Sequence, residues 1–240
     1  MSVGRDRYAE RPPAEPLRGA LACTWVRTTA PGPPRVHRIV PDACLDLIWT
    51  GERLIVAGPD TGPHLNHTAP GTLVGVRFVP GVAPAVLGLP ASELRDERPL
   101  WTDVLSDADD LVDELAGTDI AEATAILQRA VLGRLRGYPS ADIALLRAIR
   151  SGASVRALAD RFGRTERTVH RQCLAAFGYG PKTLHRVLRF QRALGKARLG
   201  RSRFADIAAD TGYADQAHLA RDVRALAGVP LTELVGVTVG

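Results

Sequence analysis

The last hundred residues of this 240-residue chain carry one pattern twice. The first copy reads Leu158-Ala159, Gly163, Thr165, Val169, Arg171, Gly178. The second reads Ile207-Ala208, Gly212, Asp215, Leu219, Arg221, Gly228. The copies match at an offset of 49 from Leu158 to Gly163 and of 50 from Thr165 to Gly178, so one residue is inserted in the second turn, beside Tyr213. An insertion inside a helix would rotate every later side chain by about 100°, whereas a turn absorbs it. A repeat that changes only in its turns is a repeat of structure. It predicts two helix-turn-helix units, and with them a bipartite reader of duplex DNA.

The rest of that half is punctuated as helices. Gly137-Tyr138-Pro139-Ser140 reads as a boundary, followed by a helix over Asp142–Arg150. Ser154 and Thr165 are placed to cap Val155–Phe162 and Glu166–Phe177, because their hydroxyls can accept from the free amides of a first turn. Gly178 and Gly180 end the second of these, and Pro181 stands where a new helix tolerates proline. A connector then runs from Pro181 to about Leu199. It has an apolar stripe (Leu184, Val187, Phe190, Leu194, Ala197) and a basic one (His185, Arg189, Arg192, Lys196). Arg203–Asp210, Asp215–Ala227 and a tail helix near Leu231–Leu234 complete the region.

Charge separates the two halves. Residues 1–140 hold 14 Lys+Arg against 18 Asp+Glu, residues 141–240 hold 17 against 8, and 141–203 alone hold 15 against 3. A basic domain beside a mildly acidic one fits a nucleic-acid-binding half joined to a half with another task. Cys23, Cys44 and Cys173 form neither a disulfide framework nor a CxxC metal pair. The charged start lacks the apolar segment of a signal peptide, and no apolar run approaches the ~20 residues that span a bilayer. A cytoplasmic protein with no membrane partner is expected. HExxH, GxSxG and GxxxxGK[ST] are all missing, so no enzyme activity and no cofactor are expected.

A B-form major groove admits one α-helix and displays a distinct donor and acceptor code. A recognition helix therefore needs one apolar face and one face of long donors. In the first copy Val169, Cys173, Ala176 and Phe177 form the apolar side, and Arg167, His170 and Arg171 project together on the other. In the second, Leu219, Val223 and Leu226 pack inward. Ala217, Ala220, Arg221 and Arg224 face out there, flanked by Gln216 and His218. The expected base-reading set is Arg167, His170, Arg171, Gln216, Ala217, His218, Arg221 and Arg224. Thr165, Arg189, Arg192 and Lys196 are expected to meet phosphates.

Residues 154–234 resemble the DNA-binding domain of AraC/XylS-type transcription regulators. The most specific segment is Ile207-Ala208-x3-Gly212-Tyr213-x2-Gln216-x-His218-Leu219-x-Arg221, continuing to Leu226-x-Gly228. Leu219 stands where the family usually has phenylalanine, Ala220 where it has serine or threonine, and Pro230-Leu231 where it has Ser/Thr-Pro. The resemblance implies two motifs held by one long helix, with recognition helices entering successive major grooves about 34 Å apart.

In the first half, short strands alternate with turn signals: Leu21–Thr28, Arg35–Val40, Cys44–Trp49, Arg53–Ala57 and Thr72–Val79. Asp107–Ala116 and Ile120–Leu135 then read as helices. The latter carries a stripe (Ala123, Leu127, Ala130, Val131, Leu135) fit to pack on the strands or on a second subunit. The expected fold class is α+β in two domains. A proline-rich flexible arm (1–19) precedes a small β-barrel or cupin-like sensing or dimerisation domain (20–137), and a double helix-turn-helix domain occupies 141–236. The segments Pro41-Asp42-Ala43-Cys44-Leu45-Asp46-Leu47-Ile48-Trp49, Ala57-Gly58-Pro59-Asp60 and Gly75-Val76-Arg77-Phe78-Val79-Pro80-Gly81 resemble the N-terminal half of some such regulators. That half implies an effector, for which Trp49 and Arg77 are the candidate contacts. His37, Asp42, His64 and His67 raise a metal site, but the HLNH segment reads as a surface loop and no metal is expected.

The chain thus reads as a sequence-specific DNA-binding transcription regulator. Its expected partners are double-stranded DNA, a small-molecule effector, RNA polymerase and a second copy of the chain. Two rivals stand beside it: a DNA-targeted enzyme, either an alkylation-repair protein or a metal-dependent cupin, and an architectural DNA-binding protein without effector.

Overall fold

A computed structural model describes residues 6–105 and 109–236. Seven strands and eleven α-helices are present among these residues. The strands are β1 (Arg7–Arg11), β2 (Leu21–Thr29), β3 (Arg35–Ile39), β4 (Asp46–Trp49), β5 (Leu54–Ala57), β6 (His64–Thr68) and β7 (Gly71–Phe78). Five of them form one antiparallel sheet in the order β1-β2-β7-β4-β5, and β3 pairs with β6 as a separate two-stranded ribbon.

Side-chain alternation gives the sheet two unlike faces. Leu47, Trp49, Leu54, Val56, Val74, Val76 and Phe78 all point to one side and are buried. The helices that follow cover that side: α1 (Ala83–Leu87), α2 (Trp101–Val104), α3 (Asp109–Leu115) and α4 (Ile120–Arg134). Helix α4 lies against β7 and buries Ala123, Ile126, Leu127 and Val131. Its start is fixed by Asp119, which accepts from Ala121 N and Glu122 N, while the Glu122 carboxylate reaches back to Asp119 N. The expected stripe is recovered at Ala123, Leu127 and Val131, with Ile126 added. It serves the sheet of its own chain.

The other face carries Arg77, Asp46, Trp25 and Gly75. Trp25 pairs with Gly75 across the ladder, and a Cβ there would sit 2.3 Å from the indole Cε2. Only glycine lets the ring lie flat on the neighbouring strand.

Two expectations for this half need correction. The proline-rich start is ordered from residue 6 rather than a flexible arm through 19. Arg7–Arg11 pairs with β2 along its whole length, Tyr8 lies 6.0 Å from the Trp25 ring, and Leu17 is buried in a 3₁₀ turn over Glu15–Leu17. Burial of Leu17 and a full backbone ladder outweigh the loop-like composition. The HLNH segment is strand β6 rather than a loop, because β3 supplies a ladder partner at every position from His64 to Thr68. His64 and His67, three residues apart in an extended strand, point to opposite faces. Residues 107 and 108 of the expected Asp107–Ala116 helix lie outside the described residues.

The C-terminal half contains α5 (Ser140–Arg150), α6 (Val155–Phe162), α7 (Glu166–Phe177), α8 (Pro181–Arg198), α9 (Phe204–Thr211), α10 (Gln216–Ala227) and α11 (Leu231–Gly236). Their boundaries follow the punctuation read from the sequence. Ser154 Oγ accepts from Ala157 N at 3.2 Å, Thr165 Oγ1 from Thr168 N at 3.1 Å, and Asp215 Oδ1 from His218 N at 2.6 Å. Left-handed glycines end α6, α7, α9 and α10 at Gly163, Gly178, Gly212 and Gly228. Helix α8 is the spine: Leu184, Val187, Leu188, Phe190, Ala193, Leu194 and Ala197 are buried, and one apolar core takes in both helix-turn-helix units.

Candidate nucleic-acid interface

Each repeat pairs a short helix with a longer one: α6 with α7, and α9 with α10. The turns show where the extra residue sits. Arg164 N donates to Ala159 O and Tyr213 N to Ala208 O, both at 2.9 Å. Arg164 and Tyr213 are therefore structural equivalents, and the inserted residue is Ala214.

The expected reading faces are open. Val169, Cys173, Ala176 and Phe177 of α7 are buried, whereas Arg167, His170 and Arg171 are exposed. On α10, Leu219, Val223 and Leu226 are buried, and Gln216, Ala217, Ala220, Arg221 and Arg224 are exposed. Among the described residues none of Arg167, Arg171, Arg221 and Arg224 has a protein hydrogen-bond or ion-pair partner. Four guanidiniums thus stand in two groups, and Arg171 and Arg221 hold equivalent places of the repeat.

Two histidines of the expected set also meet their own chain. His170 folds over Gly180, where a Cβ would come within 2.7 Å of its Nε2. His218 is half-buried, accepts from Ala214 N through Nδ1 at 3.4 Å, and meets the Tyr213 ring edge-on at 5.1 Å. Its imidazole braces the turn that holds the insertion. Thr165 is taken up by its cap and by the Thr168 hydroxyl at 3.0 Å.

The connector stripe divides. Arg189, expected at a phosphate, is turned into the protein and only 15% of its side chain is exposed. It donates to Asp222 Oδ2 at 3.1 Å and lies 4.0 Å over the Tyr213 ring. Arg186 Nε bonds the other Asp222 oxygen, and the Tyr213 hydroxyl donates to Oδ2 at 3.0 Å. Burial pushes the Asp222 carboxyl up, but the bonds from Arg186, Arg189 and Tyr213 outweigh it and hold the group below its ordinary value. A guanidinium committed to such a network cannot also grip a phosphate without abandoning a buried anion. Lys196 reaches Asp210 at 2.7 Å on the open surface, a weak and screened pair. Arg192 is exposed with no partner among the described residues.

The first unit has its own version of this network with a neutral amide in place of the carboxylate. Gln172, the equivalent of Asp222, donates to Asp142 Oδ1 on α5 at 2.6 Å and accepts from Arg164 in the turn. In both copies the residue after the turn glycine and the helix that precedes the unit (α5 or α8) clasp one position of the recognition helix. No periodicity along the chain marks this clasp, because its partners are joined only through space.

The two effector candidates are kept apart. Trp49 pairs with Val74 and is buried among the apolar residues, whereas Arg77 pairs with Asp46 on the opposite face. Arg77 is itself held by Asp46, with Nε and Nη2 each donating at 2.9 Å. Glu10 and Asp42 lie 3.7 and 3.8 Å away. The two residues cannot line one pocket.

Comparison with known proteins agrees with the repeat. Residues 158–235 match the family described as Helix-turn-helix domain, and residues 9–99 match a domain of unknown function (DUF6597). No curated protein matches. Among solved structures, ToxT from Vibrio cholerae O395 covers 85% of this chain and 96% of its own, at 10% identity and a TM-score of 0.47. An unsaturated fatty acid-bound wild-type ToxT from strain SCE256 covers 98% and 96%, at 8% identity and 0.49. Likeness that distant carries neither ligand nor mechanism across. Residues 158–235 are a helix-turn-helix domain, a fold that binds DNA. Among the described residues no helix is long and apolar enough to cross a membrane.

Proposed function

We infer that α7 and α10 read two successive major grooves of one duplex, and that the N-terminal domain governs this reading in answer to an effector or partner. The observation that carries this is the pair of open, arginine-bearing faces at equivalent positions of a repeat whose other faces are buried. Arg167 and Arg171 read one half-element; Gln216, Ala217, Arg221 and Arg224 read the other. Arginine recognises guanine through paired donors, glutamine can pair with adenine, and alanine can rest on a thymine methyl. Arg192 contributes salt-dependent affinity at the backbone. The chain acts by binding and catalyses nothing. A small-molecule effector, RNA polymerase and a second copy of the chain are the partners such a role calls on, and the cytoplasm is where it would act.

Selection from random duplexes with the full-length protein tests this. The expected result is a bipartite element with two conserved blocks about one helical turn apart. Binding of all duplexes within a few-fold of each other would leave an architectural protein instead.

A further inference from the structure

The N-terminal domain touches the C-terminal ends of both recognition helices, within one residue of equivalent points. Helix α7 ends at Gly178, whose carbonyl accepts from Arg95 Nη1 at 3.4 Å. Helix α10 ends at Gly228, and the carbonyl just before it, that of Ala227, accepts from Arg38 Nη1 at 3.0 Å. The last carbonyls of a helix are unpaired and carry the negative end of its dipole. A guanidinium there satisfies a bond and a charge at once.

One loop lies beneath both ends. It is the segment Gly58–Pro63 between β5 and β6. A Cβ on Gly178 would come within 2.5 Å of Pro59 Cγ, and one on Gly228 within 3.2 Å of Pro63 Cγ. The buried Tyr179 hydroxyl donates to Asp60 O between these two contacts. The loop is stiff. Asp60 takes both oxygens' bonds from Arg98 at 2.7 Å, and Asp96 accepts from Thr61 N at 2.6 Å. Asp96 N donates to Pro59 O at 3.1 Å, and Gly58 sits so close to Leu94 O that no Cβ could fit. A third grip falls on the connector, where Gln191 Nε2 donates to Pro41 O at 2.5 Å and Ala43 is fully buried in the helical core.

We propose that the Gly58–Pro63 loop, with Arg38 and Arg95, is a spacing clamp that sets the separation and rotation of α7 relative to α10. This rests on the reading that both helices meet one duplex. Helix α8 and the shared core join the two units at their inner sides; a braced loop wedged against both outer ends adds a second constraint on their relative rotation. Arg38 and Arg95 are positioning residues here, acting on DNA only through the helices they hold. The N-terminal domain is then part of the ruler, and whatever moves the loop alters which spacing is read.

Two arms test the proposal in the full-length protein. In the first, spin labels at Arg167→Cys and Ala217→Cys, on a Cys44→Ser background, report the distance between the recognition helices without DNA. The intact clamp should give one narrow distribution. Arg38→Ala with Arg95→Ala should broaden it, and the paired lysine substitutions should restore much of the narrowness. In the second, the selected duplex is lengthened or shortened by one base pair between its blocks, a rotation of roughly 34°. The intact protein should lose about tenfold in affinity and the double variant about two- to threefold. Substitutions within a block should cost both proteins the same. An unchanged distance distribution, or an unchanged spacing penalty, overturns the clamp. Failure of the intact protein to select any duplex would overturn the two-groove reading, while the label distances still decide whether the clamp holds the helices.

Discussion

The two helix-turn-helix units are built on one plan and braced with opposite chemistry. In the first, the recognition helix offers an amide, Gln172, to an acid on the helix before the unit, Asp142 of α5, and to the turn arginine Arg164. In the second, the recognition helix carries the acid, Asp222, and the helix before the unit, α8, supplies two arginines while the turn supplies a tyrosine hydroxyl. The neutral version needs little to stay satisfied. The charged version places a carboxylate that is 7% exposed beneath two guanidiniums, so it is stronger while intact and costlier to break. The fold tolerates either because only the meeting point is constrained. The lesson is that a repeat preserves positions of contact before it preserves the groups that make it.

The most severe way to break the comparison is Asp222→Ala. It leaves Arg189 half-buried without its counter-charge and the Tyr213 hydroxyl without an acceptor, for a cost of about 2–4 kcal/mol. Gln172→Ala should cost about 1 kcal/mol. Thermal unfolding, with hydrogen exchange to place the loss in α10 or α7, checks both. Equal costs would mean the replacement of amide by carboxylate has no energetic consequence. Acid should act as Asp222→Ala does, reversibly. Because the folded carboxyl titrates below its ordinary 3.8, its contribution is complete above that pH and is lost as pH falls through the lowered folded value. Exchange protection in α10 should therefore fall in that window beyond any change in α7.

On the open faces the two copies should behave alike. Arg171→Ala and Arg221→Ala are each expected to lower preference for the selected duplex by about 1–3 kcal/mol, with little change in melting temperature. A loss equal on selected and random duplexes would make either residue a phosphate contact. The smallest effect distinguishes two neighbours on α8. Arg192→Ala should reduce the slope of log affinity against log salt by about 1. Arg189→Ala should weaken the fold and leave that slope alone. A shallower slope with Arg189→Ala would return it to the backbone.

Much of the C-terminal half was legible in the chain. Helices α6 and α7 begin and end where Ser154, Thr165, Gly163 and Gly178 mark them, and the change of offset confines the inserted residue to the turn beside Tyr213, where the backbone bonds single out Ala214. The open and buried faces of α7 and α10 followed from spacing alone. Strand β6 did not, since a polar HLNH segment becomes a strand only because β3 lies alongside. Nor did the inward turn of Arg189, which sits in a regular basic stripe and leaves it only because Asp222, 33 residues later, is folded beneath it.

Sequence by itself determined the elements and the repeat, because helix periodicity, caps and glycine stops act over a few residues of chain. Tertiary structure alone decided which arginines stay open to a ligand and which are spent inside. It also decided that the β5–β6 loop reaches both recognition helices. Those outcomes depend on the approach of groups far apart in the chain, and a guanidinium goes to whichever anion or carbonyl the packing leaves unpaired.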